Sequence, residues 1–385
     1  AGIEAIRREL EDFKDSGKFI VSYGDYYTQG AYYLCSVADS VFLNPQGSVS
    51  LVGLASQGLF FTGLAEKIGV EHYIFKVGTY KSAVEPFFLK KFSDANREQL
   101  TSFLGSVWGN LTTAIEKSRN ISSDELDRYL NEGLAMGQAS NAVDYKLADG
   151  LRYRYEVENC VKEMAGQDVK GKLKTAGVDK IVSIKVKEKE NKNKIAVLYA
   201  EGEIRDEDSS SPFSADEQVI SEEMANKLRK LKDDDDVKAV VFRVNSPGGS
   251  AYISEQIWKE VVELKAKKPI VVSMGNYAAS GGYYISCAAN KIVAERTTLT
   301  GSIGVFGVVR NFTGTFDKVG VTTDIVKTNT FADLGDISRP MREDEKALIQ
   351  RGVEQTYDLF LTRCADGRGM TKAEIDSIGQ GRVWT

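Results

Sequence analysis

Short apolar runs alternate with a helical pattern in the second half of the chain. Runs at 195–200, 237–244 and 269–274 predict buried strands, and helical spacing over 251–266 separates the last two. Alternating strands and helices are typical of a mainly parallel sheet that is covered by helices. In such a sheet the functional loops follow the carboxyl ends of strands. We therefore predict an α/β fold.

Three further segments place apolar side chains at helical spacing. Residues 1–13 form an amphipathic pattern, and two longer segments run from Leu100 to Ile115 and from Leu348 to Phe360. We predict that each segment forms a packing helix. The aromatic side chains on these helices are expected to lie in the core and not to hold a cofactor.

The chain contains an internal repeat at an offset of 251 residues. Residues 24–34 align with 275–285, and residues 74–81 align with 325–332. Repetition at this distance predicts two related domains in one chain. GSVSLVG at 47–53 also matches GSIGVFG at 301–307, with an offset that is three residues longer.

The repeat sets the predicted domain boundaries. Residues 1–165 form the first copy, residues 166–193 form a linker rich in Lys, Glu, Asn and Gly, and residues 194–385 form the second copy. Since the second copy opens with strands that the first copy lacks, we expect those strands to precede this chain in its parent protein. Within the linker, IVSIKV at 181–186 predicts one strand.

Composition and charge exclude several classes of protein. Of the 385 residues, 42% are apolar and 27% are charged, which is typical of a soluble globular protein. A formal net charge of −5 offers no general basic surface, so we expect no nucleic-acid partner. The four cysteines lack zinc-site spacing, and Asp233 to Asp236 lack the spacing of a metal loop. We therefore predict no metal site.

The repeat also singles out two side chains. Ser280 aligns with Gln29, and Lys81 aligns with Ala332, so each copy has one member of a serine and lysine pair and lacks the other. Reciprocal loss of this kind suggests that one serine and one lysine serve a single chemistry. We predict that the two residues meet where the copies join.

Ser280 follows an apolar strand and precedes a run that can form a helix. A serine at such a turn can act as a nucleophile, with helix amide groups behind it. The alternative is that Ser280 only caps the helix. The loop NSPGG, which also ends a strand, offers the amides of Gly248 and Gly249, and Gly281 adjoins Ser280. These three glycines are our candidates for an oxyanion site.

Lys81 is the candidate base. The single histidine, His72, lies on a predicted strand and is expected to be structural. A lysine accepts a proton only when neutral, so its pKa must fall by about 3 units through burial. Glu85 lies nearby in sequence, and pairing with it would raise the pKa of Lys81 instead. Residues 205–217, which follow a strand, are expected to form a mobile loop near the site.

Together RVNSPGGS, GNYAASGGYY, TGSIGVFG and GTYKSAVEPF resemble the tandem-repeat form of the SppA, or signal peptide peptidase A, serine peptidases. These belong to the ClpP/crotonase-like superfamily. The resemblance covers essentially the whole chain. It implies two tandem ClpP/crotonase-like domains, with Ser280 as nucleophile, Lys81 as general base and the NSPGG glycines as an oxyanion loop.

The same resemblance implies a function and a setting. We expect a membrane-associated endopeptidase without a cofactor that degrades cleaved signal peptides and other short apolar or unfolded peptides. It would form a homotetramer on the outer side of the bacterial cytoplasmic membrane, held by an anchor outside this chain. Two alternatives stay open: a crotonase-like acyl-CoA enzyme, which would not need Ser280, and an inactive scaffold in which Lys81 never reaches Ser280.

Overall fold

The computed structural model of the chain describes residues 2–184, 192–206 and 218–385. Two compact units are present. One comprises residues up to 55 together with 105–192, and the other comprises residues 56–104 together with 193–385. The two repeat copies are a prediction from the sequence. The two compact units, in contrast, are defined by which residues contact one another in the structure. The segment 56–104, which includes Lys81, thus packs with residues of the second copy.

The helices and strands up to residue 184 are, in chain order, α1 Gly2–Asp15, β1 Val21–Tyr27, α2 Gln29–Cys35, β2 Ser40–Val49, α3 Thr62–Ile68, β3 Glu71–Val77, α4 Asp94–Arg119, α5 Ser123–Asn131, α6 Ser140–Asp144, β4 Gly150–Leu151, α7 Arg154–Met164 and α8 Val178–Val182. Those that follow are β5 Lys194–Glu201, β6 Glu203–Ile204, β7 Val219–Ile220, α9 Glu223–Asp233, β8 Val237–Ser246, α10 Ala251–Lys267, β9 Ile270–Ala279, α11 Gly281–Tyr284, β10 Lys291–Val293, β11 Leu299–Gly301, β12 Val305–Asn311, α12 Thr313–Val319, α13 Glu343–Arg368, α14 Lys372–Ile378 and β13 Val383–Trp384.

The first unit is built on a parallel sheet of three strands in the order β1-β2-β4. Its core contains Tyr32, Leu43 and Tyr129, all of them buried. The hydroxyl groups of both tyrosines donate to backbone carbonyls: Tyr32 donates to Leu147 at 2.6 Å, and Tyr129 donates to Val49 at 3.0 Å. Burial of these rings therefore leaves no hydroxyl without a partner.

The second unit contains a larger sheet in the order β13-β11-β9-β8-β5, in which β10 also pairs with β9. All pairs are parallel except β11 with β13. The central strands β8 and β9 carry the apolar runs that predicted them, because both of their faces are covered. The α/β fold class is confirmed, as are the predicted strands of the second copy and the long helices α4, α10 and α13.

A separate antiparallel pair within the second unit joins the two copies. Strand β3 of the first copy pairs with β12 of the second, with Val77 opposite Val305 and Glu71 opposite Asn311. Phe75 packs there against Met341 and Val353. This pairing fixes the position of the chain that follows β3, which leads to Lys81.

One sequence prediction outside the site is wrong in part, and another lies mostly outside the described residues. The strand predicted at 181–186 is wrong for residues 181–184, because Val178–Val182 form a short helix, and the remainder lies outside the described residues. Most of the loop predicted at 205–217 also lies outside them. Among the helices that the structure describes, none combines the length and apolar character needed to cross a membrane.

Candidate active site

Ser280 lies at a sharp turn between β9 and α11. Its backbone has φ 52° and ψ −122°, a conformation that side-chain-bearing residues rarely adopt. The Ser280 amide donates to the Gly301 carbonyl at 2.9 Å, which anchors the turn to β11. The side chain makes no capping hydrogen bond to α11. The hydroxyl is therefore directed to another partner and does not serve as a helix cap.

Close backbone contacts explain the glycines around this turn. A Cβ atom on Gly248 would lie 2.8 Å from Ser280 Cβ, and one on Gly282 would lie 2.6 Å from the Ser246 carbonyl oxygen. Gly248 also has φ +105°, which favours glycine. The loop after β8 can approach Ser280 this closely only because no side chain intervenes.

Lys81 reaches the turn from the end of β3. Beyond this strand the Tyr80 amide donates to the Gln380 carbonyl at 2.8 Å, and the Lys81 amide donates to Gly78 at 3.2 Å. A Cβ atom on Gly381 would lie 2.6 Å from Lys81 Cβ, so that glycine allows the lysine backbone to pack against the chain between α14 and β13. Backbone contacts on both sides thus fix the part of the chain from which the Lys81 side chain extends.

The Lys81 amine lies among three oxygen atoms. Nζ is 3.1 Å from Ser280 Oγ, 3.0 Å from Ser302 Oγ and 3.1 Å from the Ser302 carbonyl oxygen. Lys81 is only 4% exposed, and burial lowers its pKa to about 8. A neutral amine has two N–H groups and one lone pair. If both N–H groups are donated to Ser302, the lone pair remains for the Ser280 proton.

Glu85 does not pair with Lys81. Its buried carboxylate accepts hydrogen bonds from Ser93 Oγ at 2.5 Å, from the Ser93 amide at 3.2 Å and from Asn96 Nδ2 at 2.9 Å. Local donors of the following loop and of α4 thus satisfy this carboxylate in place of the ion pair that the sequence leaves open. Burial is the cause that lowers the pKa of Lys81.

The three candidate oxyanion glycines differ in where their amides point. The Gly248 amide donates to Ser246 Oγ at 3.1 Å. Gly249 forms a parallel bridge with Ile204 through its neighbours' backbone groups, which turns its own amide away from Ile204. Its nitrogen lies 3.2 Å from the position of a Cβ on Gly281. The amides of Gly249 and Gly281 are therefore adjacent, and neither has a protein acceptor within the described residues.

The remaining sequence candidates lie away from this arrangement. His72 is on β3 and stacks on Phe87, with ring centroids 5.1 Å apart, and burial lowers its pKa. Asp233 pairs with Lys267 at 3.0 Å, and Asp236 pairs with Lys194 at 2.9 Å. Both sets of contacts are structural. Across the described ranges no cluster of His, Cys, Asp or Glu side chains has the arrangement of a metal site.

Ser302 is the site residue that the sequence argument missed. It follows β11, has φ 52° like Ser280, and donates its amide to the Arg382 carbonyl at 2.6 Å. Its only signal in the sequence is its place in GSIGVFG. Since the first copy has Ser48 at the equivalent position, reciprocal loss could not single it out.

Comparisons with known proteins show the family to which the chain belongs. The sequence profile of Peptidase family S49 matches residues 12–168 and 262–385, and that of Clp protease matches residues 211–303. These matches confirm the family resemblance and the ClpP-like fold class.

Three relatives match almost the whole chain. Protease 4 of Haemophilus influenzae is 38% identical over 99% of this chain and 63% of its own length. Protease 4 of Salmonella typhi is 38% identical over 99% of this chain and 62% of its own. The chloroplastic serine protease SPPA of Arabidopsis thaliana is 33% identical over 100% of this chain and 57% of its own. The chain thus spans about three fifths of the length of these relatives.

Proposed function

Because the chain belongs to peptidase family S49, we propose that it is a serine endopeptidase with Ser280 as nucleophile and Lys81 as general base. The observation that carries the proposal is the distance of 3.1 Å between Ser280 Oγ and a lysine amine removed from water. A lysine whose pKa is about 8 has a substantial neutral fraction near neutral pH, as proton abstraction from serine requires.

The first half of the reaction is acyl transfer to the enzyme. The neutral amine of Lys81 takes the hydroxyl proton while Ser280 Oγ attacks the peptide carbonyl carbon. The resulting ammonium gives that proton to the leaving amine as the peptide C–N bond breaks. The acyl group is then held as an ester on Ser280.

The second half releases the acyl group. Lys81 takes a proton from a water molecule, which attacks the ester carbonyl. The proton then returns to Ser280 Oγ as the ester bond breaks and a carboxyl product leaves. In both halves the amides of Gly249 and Gly281 stabilise the tetrahedral oxyanion, and removing one such donor typically costs about 10²–10³ in rate. The Gly248 amide is the weaker candidate because it already donates to Ser246.

The substrate and setting proposed here rest on the family. We propose that cleaved signal peptides and other short apolar or unfolded peptides are the substrates. We place the enzyme as a homotetramer at the outer side of the bacterial cytoplasmic membrane, anchored by a segment outside this chain. The residues of the site need no metal or cofactor for the steps above, since base, nucleophile and oxyanion donors are all protein groups.

The test is hydrolysis of an unfolded protein and of apolar fluorogenic peptides. Ser280→Ala and Lys81→Ala are each expected to abolish hydrolysis and to remain folded by circular dichroism. Ser102→Ala and Lys90→Ala, changes of the same kind on exposed residues, are the matched controls and should keep full activity. Full activity of either dyad variant would overturn the proposal.

Covalent labelling separates this function from its rivals. A serine-directed phosphonate should label Ser280 in the unaltered protein and fail to label it in Lys81→Ala. An acyl-CoA enzyme that uses only the backbone oxyanion site would show no labelling of Ser280. An inactive scaffold would show neither labelling nor hydrolysis.

A further inference from the structure

One buried amide side chain holds the chain on both sides of Lys81. Gln99 lies on α4 and is 3% exposed. Its Nε2 atom donates to the Tyr80 carbonyl at 3.0 Å and to Ser82 Oγ at 2.9 Å, and Asn96 Oδ1 lies 3.1 Å from the same nitrogen. Since Tyr80 and Ser82 flank Lys81 in the chain, this amide fixes the point from which the lysine side chain extends.

The other end of the same side chain reaches the strand that holds Ser302. Gln99 Oε1 accepts a hydrogen bond from the Val383 amide at 3.2 Å. Val383 lies on β13, which pairs with β11, and the carbonyl of the preceding residue, Arg382, accepts from the Ser302 amide at 2.6 Å. Ser302 Oγ in turn lies 3.0 Å from the Lys81 amine. Gln99 therefore connects the chain that carries the lysine to the strand that places a partner of its amine.

The second copy lacks this amide where it also lacks the lysine. Helix α13 begins 249 residues after α4, and both helices have 26 residues. Gln99 and Leu348 are each the sixth residue of their helix. Leu348 is 40% exposed, and the lysine position of its copy is Ala332. The amide and the lysine are thus present together in one copy and absent together from the other, as expected if Gln99 acts through Lys81.

The ionisable groups around Lys81 have partners of their own. Glu85 is held by donors of the following loop and of α4. Glu98, also on α4, accepts from the Tyr80 hydroxyl at 2.9 Å and from Arg382 Nη1 at 2.8 Å. Its side chain is 54% exposed, so solvent screens its charge. The Arg382 guanidinium lies over the Tyr80 ring, 4.7 Å from its centroid. Burial is therefore left to set the pKa of Lys81, and a neutral amide adds no charge there.

We propose that Gln99 is a positioning residue for the general base. It holds the backbone beside Lys81 against β13, so that the lysine amine keeps its place between Ser280 and Ser302 and stays out of water. An error of about 1 Å in the position of a catalytic group can lower the rate by about 10²-fold. The inference rests on the proposed function, because it assigns a role toward the same base.

Gln99→Leu gives the first copy the residue of the second and removes both sets of hydrogen bonds. We expect kcat at pH 7 to fall by roughly 30–100-fold and KM to change by less than about threefold, because the base is displaced while the peptide site is kept. As water reaches the amine, the rising limb of kcat against pH should move upward from about pH 8 by about one unit. Steady-state hydrolysis of one fluorogenic peptide between about pH 6 and 10 measures both effects.

Asn110→Leu is the matched control. Asn110 is also an amide of α4, but it donates to the Ser106 carbonyl within the helix at 2.8 Å. This variant should leave both kcat and the position of the rising limb unchanged.

Gln99→Glu separates the two ends of the side chain and keeps its shape, so it serves as the test if Gln99→Leu fails to fold. A glutamate can still accept from the Val383 amide, but its ionised form cannot donate to the Tyr80 carbonyl. Its charge also favours the ammonium form of Lys81, so we expect the pKa of that amine to rise by about 1–2 units. The ε-carbon resonance of ¹³C-labelled lysine, assigned by comparison with Lys81→Met, reports this pKa by NMR without any hydrolysis.

A raised pKa of Lys81 together with slower hydrolysis supports the proposal. An unchanged pKa of Lys81 in folded Gln99→Glu would overturn it. So would a loss of kcat in Gln99→Leu that leaves the rising limb in place, since a merely structural role predicts that result. If the unaltered protein hydrolysed no peptide, the proposed function would fail, whereas the NMR titration would still decide whether Gln99 positions the amine.

Discussion

The turns at Gln29 and at Ser280 occupy equivalent places in the two copies, but their side chains are used differently. Gln29 Oε1 accepts from the amides of Val52 and Gly53 at 2.8 and 2.7 Å, and its Nε2 donates to the Gly53 carbonyl at 3.0 Å. Thr28 caps the helix with φ −68°. At the other turn Ser280 has positive φ, and its hydroxyl faces Lys81.

This difference indicates what the proposed chemistry would require of the turn. Where no reaction is expected, the side chain is saturated by backbone groups of its own copy and the helix is capped in the ordinary way. At Ser280, where a nucleophile is proposed, the backbone has an unfavourable conformation. The Ser280 hydroxyl contacts Lys81, the proposed base, which belongs to the other copy. Strain of this kind persists when the surrounding structure determines it.

Exchanging the two turn residues should have the largest effect. Ser280→Gln is expected to lower kcat/KM by about 10⁴-fold or more, because the hydroxyl that attacks the peptide carbonyl is lost. Gln29→Ser should leave kcat/KM unchanged, since Ala332 and not a lysine is its partner in the repeat. Steady-state hydrolysis of one fluorogenic peptide measures both. If the kcat/KM of Ser280→Gln stayed within about tenfold of that of the unaltered protein, Ser280 would not be the nucleophile.

The pH dependence of hydrolysis is the next largest expected effect. Since the neutral form of Lys81 is the base and burial lowers its pKa to about 8, kcat/KM should rise with pH and level off above that value. At pH 6 the rate should be roughly 100-fold below the plateau, because the neutral fraction falls tenfold with each pH unit. A rising limb near pH 6.5, the usual pKa of histidine, would point to His72 instead.

Stability should respond in the opposite direction to activity when Lys81 is removed. The pKa of Lys81 is about 8 in the folded protein, whereas its ordinary value is 10.5. Below pH 8, folding therefore removes a charged ammonium group from water, and this lowers the free energy of unfolding. Lys81→Met should therefore raise the free energy of unfolding at pH 7 by about 1–3 kcal/mol. The gain should shrink between pH 8 and 10.5, where the unaltered protein itself becomes more stable. Urea unfolding at pH 7 and pH 10.5 measures the difference, and a gain that is independent of pH would exclude this cause.

The smallest effect concerns backbone strain. At Ser280, where φ is positive, glycine should be more stable than alanine by about 1 kcal/mol. At Gln29, which begins an ordinary helix, glycine should be less stable than alanine by about 0.5–1 kcal/mol. Thermal unfolding of Ser280→Gly, Ser280→Ala, Gln29→Gly and Gln29→Ala makes the comparison. The same order of stability at both positions would show that the two turns do not differ in strain.

Some of the site could be read from the sequence because the two aligned segments can be compared with each other. The reciprocal absence of Lys81 and Ser280 singles them out in the sequence, and the structure brings Lys81 Nζ and Ser280 Oγ within hydrogen-bond distance. Ser302 could not be chosen in this way, because both copies carry a serine there. Which of Gly248 and Gly249 can serve as an oxyanion donor depends on the direction of its backbone amide. The sequence of the NSPGG loop does not specify that direction.

The fold was predictable where its signal is local. Buried parallel strands such as β8 and β9 are continuous apolar runs, and α4 and α13 have helical spacing over many turns. The pairing of β3 with β12 was not predictable, because it joins segments more than two hundred residues apart and periodicity does not reveal partners. The same limit applies to the packing of 56–104 with the second copy.

That packing has a genetic consequence. Tandem repeats in a gene are lost by recombination between equivalent positions, and here each such event would delete 251 residues and leave one chimeric copy. A crossover before Gln29 keeps Ser280 and deletes Lys81, and one after Lys81 keeps the lysine with Gln29 in place of the serine. Any crossover between them loses both residues. No deletion of this kind can therefore return a chain that has both Ser280 and Lys81.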